Sequence, residues 1–232
     1  MAVRSSSSAA EFLPKRFTFE DLEAAAESCK GCDLYRNATQ TVFGEGSESA
    51  SIMFVGEQPG DMEDRQGQPF VGPAGRLLDR ALAAAGIPRQ QAYVTNAVKH
   101  FKFIQRGKRR LHQKPLIRQV TACKPWLEAE IEVIQPKIIV ALGSTAAHAV
   151  LGRAVRINQE RGKFIPRDSR EAFITVHPSA ILRLQESSER EREFDRLVDD
   201  MKAIRRRLDK EAGLSPRSTR RTRSVHNNSE SA

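Results

Sequence analysis

Side chains that could take part in catalysis are concentrated in four short polar segments. Residues 56–60 (GEQPG) contain the carboxylate of Glu57, Asn96 supplies an amide, residues 143–145 (GST) supply two hydroxyls, and residues 177–179 (HPS) contain an imidazole. An amide both donates and accepts hydrogen bonds, so it can read a polar ligand, whereas a carboxylate and an imidazole can orient a nucleophile or move a proton. Together these types predict a site that recognises a polar ligand and acts on it.

Each polar segment directly follows a short, almost continuously apolar run, the pattern of a strand buried on both faces of a parallel sheet. The predicted strands span residues 51–55, 92–95, 137–142 and 172–176, and the predicted helices span 20–28, 73–85, 116–134, 144–151 and 189–208. This alternation predicts an α/β fold, a three-layer α/β/α sandwich with a four-stranded parallel sheet. Ligands bind outside the carboxyl ends of parallel strands, so the polar segments are expected to meet in one crevice.

The net charge of +9 is concentrated in one internal segment and one tail. Residues 99–114 hold seven Lys or Arg and no acid, and the last twenty residues add a net +3. An uninterrupted basic segment inside a domain favours a polyanionic partner over a solvated face, while for the Arg- and Ser-rich tail both interpretations stay open. We expect a folded domain over residues 16–212, flanked by disordered segments at 1–15 and 213–232.

The sequence has no run of about 18 apolar residues, and its N-terminal stretch has serines where a secretory signal needs an apolar core. It therefore predicts a cytosolic protein with no membrane partner. Three cysteines in such a chain are not expected to form disulfides. Cys29 and Cys32 have the CxxC spacing, which by itself fits zinc binding or redox chemistry, and Cys123 is the third.

Four ordered motifs resemble those of the uracil-DNA glycosylase superfamily, and more narrowly its iron-sulfur family 4, over residues 20–208. GEQPG is similar to the first motif, QPFVGPAG to the base-stacking loop, YVTNAVK to the uracil-reading strand end and HPS to the second motif. Two departures matter: Gln58 replaces the usual alanine, and Lys99-His100 replaces Lys-Cys and is followed by an insertion, RGKRRLH. Both departures resemble the UdgX subgroup, which stays covalently attached to DNA after excising uracil.

The resemblance implies a pocket for a uracil that has been flipped out of the DNA stack. Asn96 would pair with uracil N3–H and O4, Phe70 would stack on the ring, and His177 would donate a hydrogen bond to O2 as charge develops on the departing base. Gly72 and Gly75 would open the next helix N-terminus to a phosphate. The uracil-binding set is Gly56, Gln58, Phe70 and Asn96.

In this resemblance His112 of the insertion captures C1′ of the sugar, where turnover glycosylases use water. Neutral imidazole is the nucleophile, and neighbouring guanidinium groups would disfavour its charged form. Glu57 would orient the ring and stabilise the imidazolium. The expected catalytic residues are Glu57, His112 and His177, and the expected DNA-binding residues are Arg106, Lys108, Arg109, Arg110 and Ser179.

Two alternatives stay open at this stage: a conventional turnover glycosylase whose basic loop only grips DNA, and a non-catalytic nucleic-acid-binding module. The resemblance further implies a 4Fe-4S cluster held by Cys29, Cys32 and Cys123, with His100 where the fourth cysteine would stand. Zinc fits three Cys and one His equally well by count. We expect a monomer that acts in the cytosol or nucleoid on uracil-containing, single-stranded DNA.

Overall fold

The computed structural model describes residues 8–213, which form eight strands and eight α-helices. The strands are β1 Glu45–Gly46, β2 Ile52–Gly56, β3 Ala92–Asn96, β4 Phe103–Arg106, β5 Arg109–His112, β6 Ile138–Leu142, β7 Phe164–Arg167 and β8 Arg170–Thr175. The helices are α1 Phe19–Glu27, α2 Asp61–Gln66, α3 Pro73–Ala84, α4 Ile117–Ile134, α5 Ser144–Leu151, α6 Ile157–Glu160, α7 Pro178–Leu182 and α8 Ser187–Glu211. Within residues 8–213, no helix is both long and apolar enough to span a membrane.

The main sheet has six strands in the order β1-β3-β2-β6-β8-β7. The four central strands are parallel and are the four that the sequence predicts, with bounds shifted by at most two residues. The expected four-stranded sheet is extended at both edges by the antiparallel strands β1 and β7. These edges were missed because β1 has only two residues, both exposed, and β7 has no buried residue, so neither shows an apolar run.

Helices cover both faces of this sheet, which confirms the three-layer α/β/α sandwich. Alternate residues of β2 point to opposite layers: Met53 and Val55 join the core formed with α1, α4 and α5, while Ile52 and Phe54 join the core formed with α3, α7 and α8. This alternation follows from the two-residue period of a strand. Because both faces are mostly apolar, the polar groups that a ligand could reach are expected at the strand ends.

The basic insertion forms a separate two-stranded antiparallel ribbon, made of β4 and β5. Its register pairs Phe103 with His112 and Arg106 with Arg109, and the turn between the strands contains Gly107, whose φ is +58°. The sequence predicted only a loop here. The alternation in a ribbon sends neighbouring side chains to opposite faces, so it decides which basic residues face the domain.

Part of the N-terminal segment that was expected to be disordered is ordered. Residues Ala9–Phe12 form a 3-10 helix, and Ala9 is buried in the core beside α4. These residues are ordered because a small apolar side chain is packed there, and the domain bounds of 16–212 stay a prediction. Residues 1–7 and 214–232, including most of the proposed basic tail, lie outside the described residues.

Candidate active site

The carboxyl ends of β2 and β3 meet in register, with Gly56 paired to Asn96. A Cβ atom added to Gly56 would lie 2.3 Å from Asn96 Oδ1 and 2.8 Å from Phe70 Cζ. Glycine is therefore required at this position, and the Asn96 amide and the Phe70 ring both lie over its Cα. The structure brings together three of the four residues that the sequence assigned to the base pocket.

Asn96 is 3% exposed, and its side-chain amide has no hydrogen-bond partner among residues 8–213. A buried amide normally finds a partner, so this one is available to a ligand. The amide presents both a donor and an acceptor, which is the pattern needed to read the edge of a nucleobase.

Phe70 lies in a tightly folded loop between α2 and α3. Its φ of +58° is unusual for a residue with a side chain, and a Cβ atom on Gly75 would lie only 1.5 Å from the Phe70 carbonyl oxygen. Gly75 therefore serves packing of the loop on α3. The Phe70 ring lies 6.2 Å from the His177 ring, with 26° between their planes.

A carboxylate lies beside the N-terminus of α3, where the sequence predicts a phosphate. Glu63 accepts a hydrogen bond from Gly72 N at 2.8 Å and another from Gly60 N at 3.1 Å. The carboxylate is buried and ties the loop after β2 to the loop that carries Phe70. The negative charge interacts favourably with the helix N-terminus, and it makes an anion less favourable at the same place.

His177 caps α7, and Ser179 fixes its ring. Ser179 N donates to His177 Nδ1 at 3.1 Å, and the Ser179 hydroxyl lies 2.8 Å from the same atom. Since Nδ1 accepts, the neutral ring carries its proton on Nε2, where it can be donated to a ligand. Burial first, then the charges of Arg183 and His112, lower the pKa of His177 to about 4. Ser179, which the sequence assigned to DNA, holds His177 in this arrangement.

His112 faces Glu57 across the mouth of the crevice, with Nε2 3.5 Å from Glu57 Oε1. The other carboxylate oxygen accepts a 2.5 Å hydrogen bond from the Thr145 hydroxyl. Consecutive polar contacts thus link the ribbon, the residue after β2 and the start of α5. Thr145 was not singled out by the sequence, although it lies in the GST segment after β6.

The pKa of His112 is lowered from its usual value, mainly by desolvation and further by the charge of Arg183, while Glu57 opposes the shift. The direction agrees with the sequence expectation, but the guanidinium that contributes lies after α7 and not on the ribbon. The His112 side chain is 45% exposed. The ring is therefore neutral near pH 7, partly accessible, and paired with a carboxylate, which suits a nucleophile.

Gln58 fastens the base of the ribbon. Its side chain accepts a hydrogen bond from Lys102 N at 3.1 Å and donates to Lys102 O at 3.2 Å and to Gln113 O at 3.1 Å. Lys102 precedes β4 and Gln113 follows β5, so one side chain forms hydrogen bonds with both ends of the ribbon. The donor and acceptor groups of the Gln58 side chain are therefore used by the ribbon, and the assignment of Gln58 to uracil binding stays a prediction that its main chain would have to meet.

Arg110 is also an anchor, which corrects its assignment to DNA. Its guanidinium forms ion pairs with Asp61 and with the fully buried Asp64, the latter at 2.5 Å, and donates to Thr39 Oγ1 at 3.0 Å. Only 10% of the side chain is exposed. Arg106, Lys108 and Arg109, in contrast, are exposed, and their side chains make no ion pair or hydrogen bond with any residue of the range 8–213.

The three cysteines are buried and none forms a disulfide. Trp126 Nε1 donates to Cys29 Sγ at 3.2 Å, and Lys99 N donates to Cys123 Sγ at 3.3 Å. Burial raises the pKa of Cys123 to about 12, and the charge of Lys99 opposes this shift. The thiols therefore lie in one buried region, with N–H donors of the kind that serve iron-bound sulfur.

His100 is buried, but its Nε2 lies 3.0 Å from the Thr41 hydroxyl. Desolvation lowers the pKa of His100 to about 4. Across residues 8–213, no group of three or more His, Cys, Asp or Glu side chains is arranged to hold a metal ion. Thiols are ligands that suit iron or zinc, but within residues 8–213 neither the three cysteines nor His100 are arranged as a ligand set.

The sandwich, with GEQPG, Asn96 and HPS at its strand ends, is the architecture of a uracil-DNA glycosylase. The sequence profile of the uracil DNA glycosylase superfamily matches residues 43–202, so the chain belongs to that superfamily.

Within it, the chain is 39% identical to the type-4 uracil-DNA glycosylase of Thermotoga maritima over 166 residues, which is 71% of this chain and 83% of that protein. It is 37% identical to the type-4 enzyme of Sulfurisphaera tokodaii over 174 residues, covering 71% and 76% of the two chains. It is 34% identical to the type-4 enzyme of Archaeoglobus fulgidus over 189 residues, covering 78% and 92%.

Proposed function

We propose that this protein excises uracil from DNA and then remains attached to it through a covalent bond between His112 and C1′ of the abasic sugar, as in the UdgX subgroup. The observation that carries the proposal is the 3.5 Å approach of the neutral His112 ring to Glu57, beside the pocket of Gly56, Asn96 and Phe70. Uracil excision itself is supported by the similarity to type-4 enzymes. The covalent step is supported by the contact between His112 and Glu57 in this chain.

In the proposed reaction the flipped uracil stacks on Phe70, and the Asn96 amide pairs with N3–H and O4. His177 donates its Nε2 proton in a hydrogen bond to O2, which stabilises the charge that develops on the base. The C1′–N1 bond breaks and its electron pair leaves with uracil. A ring nitrogen of neutral His112 then bonds to the electron-poor C1′, and the Glu57 carboxylate faces the imidazolium that forms.

The DNA substrate is proposed to be single-stranded, because the ribbon covers the mouth of the crevice and a flexible strand reaches it most easily. Arg106, Lys108 and Arg109 are exposed and unpaired within the described part of the chain, so they are free to contact phosphates. We also propose that the domain over residues 16–212, extended to residue 8, acts as a monomer in the cytosol or nucleoid.

The cofactor is proposed to be a 4Fe-4S cluster bound by Cys29, Cys32 and Cys123, with His100 as the fourth ligand and zinc as the alternative metal. When bound, such a cluster would join the N-terminal CxxC segment to the residues that precede the ribbon, a structural role. Iron and sulfide analysis, with an absorption spectrum of anaerobically purified protein showing a broad band near roughly 400 nm, identifies an iron-sulfur centre. Stoichiometric zinc without that band would exclude it.

The covalent step is tested by denaturing gel electrophoresis after mixing the protein with a uracil-containing single strand. We expect a shifted band that survives heat and detergent, and its loss in His112→Ala. His148→Gln, on α5 and outside the site, is the matched control and should keep the band. Absence of the band in the wild-type protein, or its persistence in His112→Ala, would exclude the histidine adduct.

A second candidate is a conventional turnover glycosylase in which water captures the sugar, and the similarity to type-4 enzymes favours it. The two candidates differ in stoichiometry. A turnover enzyme releases many uracil molecules per protein, whereas the proposed reaction stops at one. Counting free uracil against protein over time separates them.

A further inference from the structure

A fully buried lysine lies directly behind the residue proposed to read the base. Lys99 is 0% exposed, and its ammonium group donates to Asn96 O at 2.9 Å, Thr95 Oγ1 at 2.5 Å and Glu130 Oε2 at 2.6 Å. Glu130, on α4, is 1% exposed. All three donors of the ammonium group are therefore used, and one of them holds the main chain of Asn96.

The other carboxylate oxygen completes the network. Glu130 Oε1 accepts hydrogen bonds from the Thr95 hydroxyl at 2.8 Å and the Tyr93 hydroxyl at 3.0 Å. A Cβ atom on Gly44 would lie 2.1 Å from Tyr93 Oη and 2.5 Å from Glu130 Oε1, so the network is closely packed. Three residues of β3 are thereby tied to α4 through two buried charges.

Stability alone does not account for this arrangement. Removing two charges from water costs several kcal/mol per ion, and a buried ion pair is often replaced by neutral side chains of similar volume without loss of stability. What the pair does achieve is a fixed position for the last residue of β3. The Asn96 carbonyl lies at the strand end, and Lys99 supplies its hydrogen-bond donor.

The Asn96 amide depends on that fixed backbone. It has no side-chain partner within residues 8–213, so its direction is set by the main chain beneath it and by its neighbours Gly56 and Phe70. A displacement of about 1 Å at a reacting site can lower a rate by roughly a hundredfold. Lys99 and Glu130, together called the clamp below, hold the main chain at the position where such a displacement would move the Asn96 amide.

We propose that Lys99 and Glu130 are positioning residues that hold Asn96 in register with the uracil edge and thereby set the rate of base excision. This inference rests on the proposed function, because it assigns a role within the same pocket. Lys99 touches no DNA in this arrangement, since its side chain is fully enclosed in the domain. It should therefore affect excision and leave DNA affinity unchanged.

The test is the double variant Lys99→Met/Glu130→Gln, which removes both charges together and keeps an acceptor oxygen for Tyr93 and Thr95. Single-turnover excision on a uracil-containing single strand and binding to the same strand without uracil are measured side by side. We expect excision to slow by roughly ten- to a hundredfold, with the Kd for uracil-free DNA within about twofold of wild type. A folded double variant that excises at the wild-type rate would overturn the inference.

If the double variant does not fold, two single variants that each remove one hydroxyl test whether the clamp sets the excision rate. Thr95→Val removes a hydroxyl that contacts Lys99 directly, whereas Tyr93→Phe removes a hydroxyl that contacts Glu130 alone. Slower excision in Thr95→Val but not in Tyr93→Phe supports the clamp, and equal excision rates in the two variants contradict it. If the wild-type protein releases no uracil, the proposed function fails, and that result is distinct from a failure of the clamp.

Discussion

Replacing Gln58 by alanine should separate base excision from adduct formation. The change removes the three hydrogen bonds that join Gln58 to Lys102 and Gln113. At about 1 kcal/mol net for each bond, docking of the ribbon loses roughly 3 kcal/mol. Since each 1.4 kcal/mol is a factor of ten, the ratio of docked to undocked ribbon falls by about a hundredfold.

Excision should survive this change, because Gln58 forms no hydrogen bond with Asn96, Phe70 or His177, and the resemblance gives alanine as the usual residue of family 4 at this position. His112 lies on the ribbon and needs the docked state to reach C1′. Arg110 still anchors β5, so the hundredfold figure is the upper limit for the loss of adduct rate. We therefore expect uracil to be released at nearly the wild-type rate while the adduct forms more slowly.

The assay follows one reaction by two readouts, released uracil for total excision and a denaturing gel for the adduct. Gln159→Ala, an exposed glutamine on α6, serves as the control and should change neither. The reasoning is refuted if Gln58→Ala forms adduct at the wild-type rate, or if excision falls in parallel with adduct formation. The first result would mean that the hydrogen bonds do not hold the ribbon, and the second that Gln58 acts in the pocket.

Two further predictions concern stability. Arg110→Met leaves the carboxylate of Asp64 buried without its ion pair, so the free energy of unfolding in urea should fall by about 3 kcal/mol, whereas exposed Arg109→Met should change it by less than about 0.5 kcal/mol. Equal effects would contradict the anchor. The pKa of His177, lowered from 6.5 to about 4, means that the unfolded chain binds more protons between these values, so this residue makes stability rise with pH from about 4 to 6.5 and level off above. Urea unfolding across that range should lose part of its slope in His177→Gln, and an unchanged slope would contradict the assignment.

Much of the fold could be predicted because parallel strands that are buried on both faces appear in the sequence as apolar runs. Strands β2, β3 and β6 are buried throughout, and each was recognised in this way. The edges β1 and β7 have no such signal, and the ribbon was taken for a loop because its charges conceal any alternation. The N-terminal 3-10 helix was missed because packing against α4 holds it on the domain, although Ser8 also caps it locally.

The residues of the candidate site also divide into those whose place the sequence predicts and those whose place it does not. Asn96, Phe70 and His177 follow strand ends or sit in a glycine-rich loop, and their meeting could be expected from the geometry of a parallel sheet. The roles of Gln58, Glu63 and Arg110 were not foreseen, because each is defined by a partner. A basic side chain in the sequence does not reveal whether a phosphate or a carboxylate faces it.

By itself, the sequence determined the sandwich, the crevice at its strand ends and the residue types available there, since local apolar patterning dictates where strands lie and topology dictates where their ends meet. Tertiary structure alone decided which polar groups remain free. Gln58 binds partners 44 and 55 residues away, and Arg110 pairs with an aspartate 46 residues earlier. Hydrogen bonds of this range depend on how the ribbon docks, and docking is a property of the packed chain.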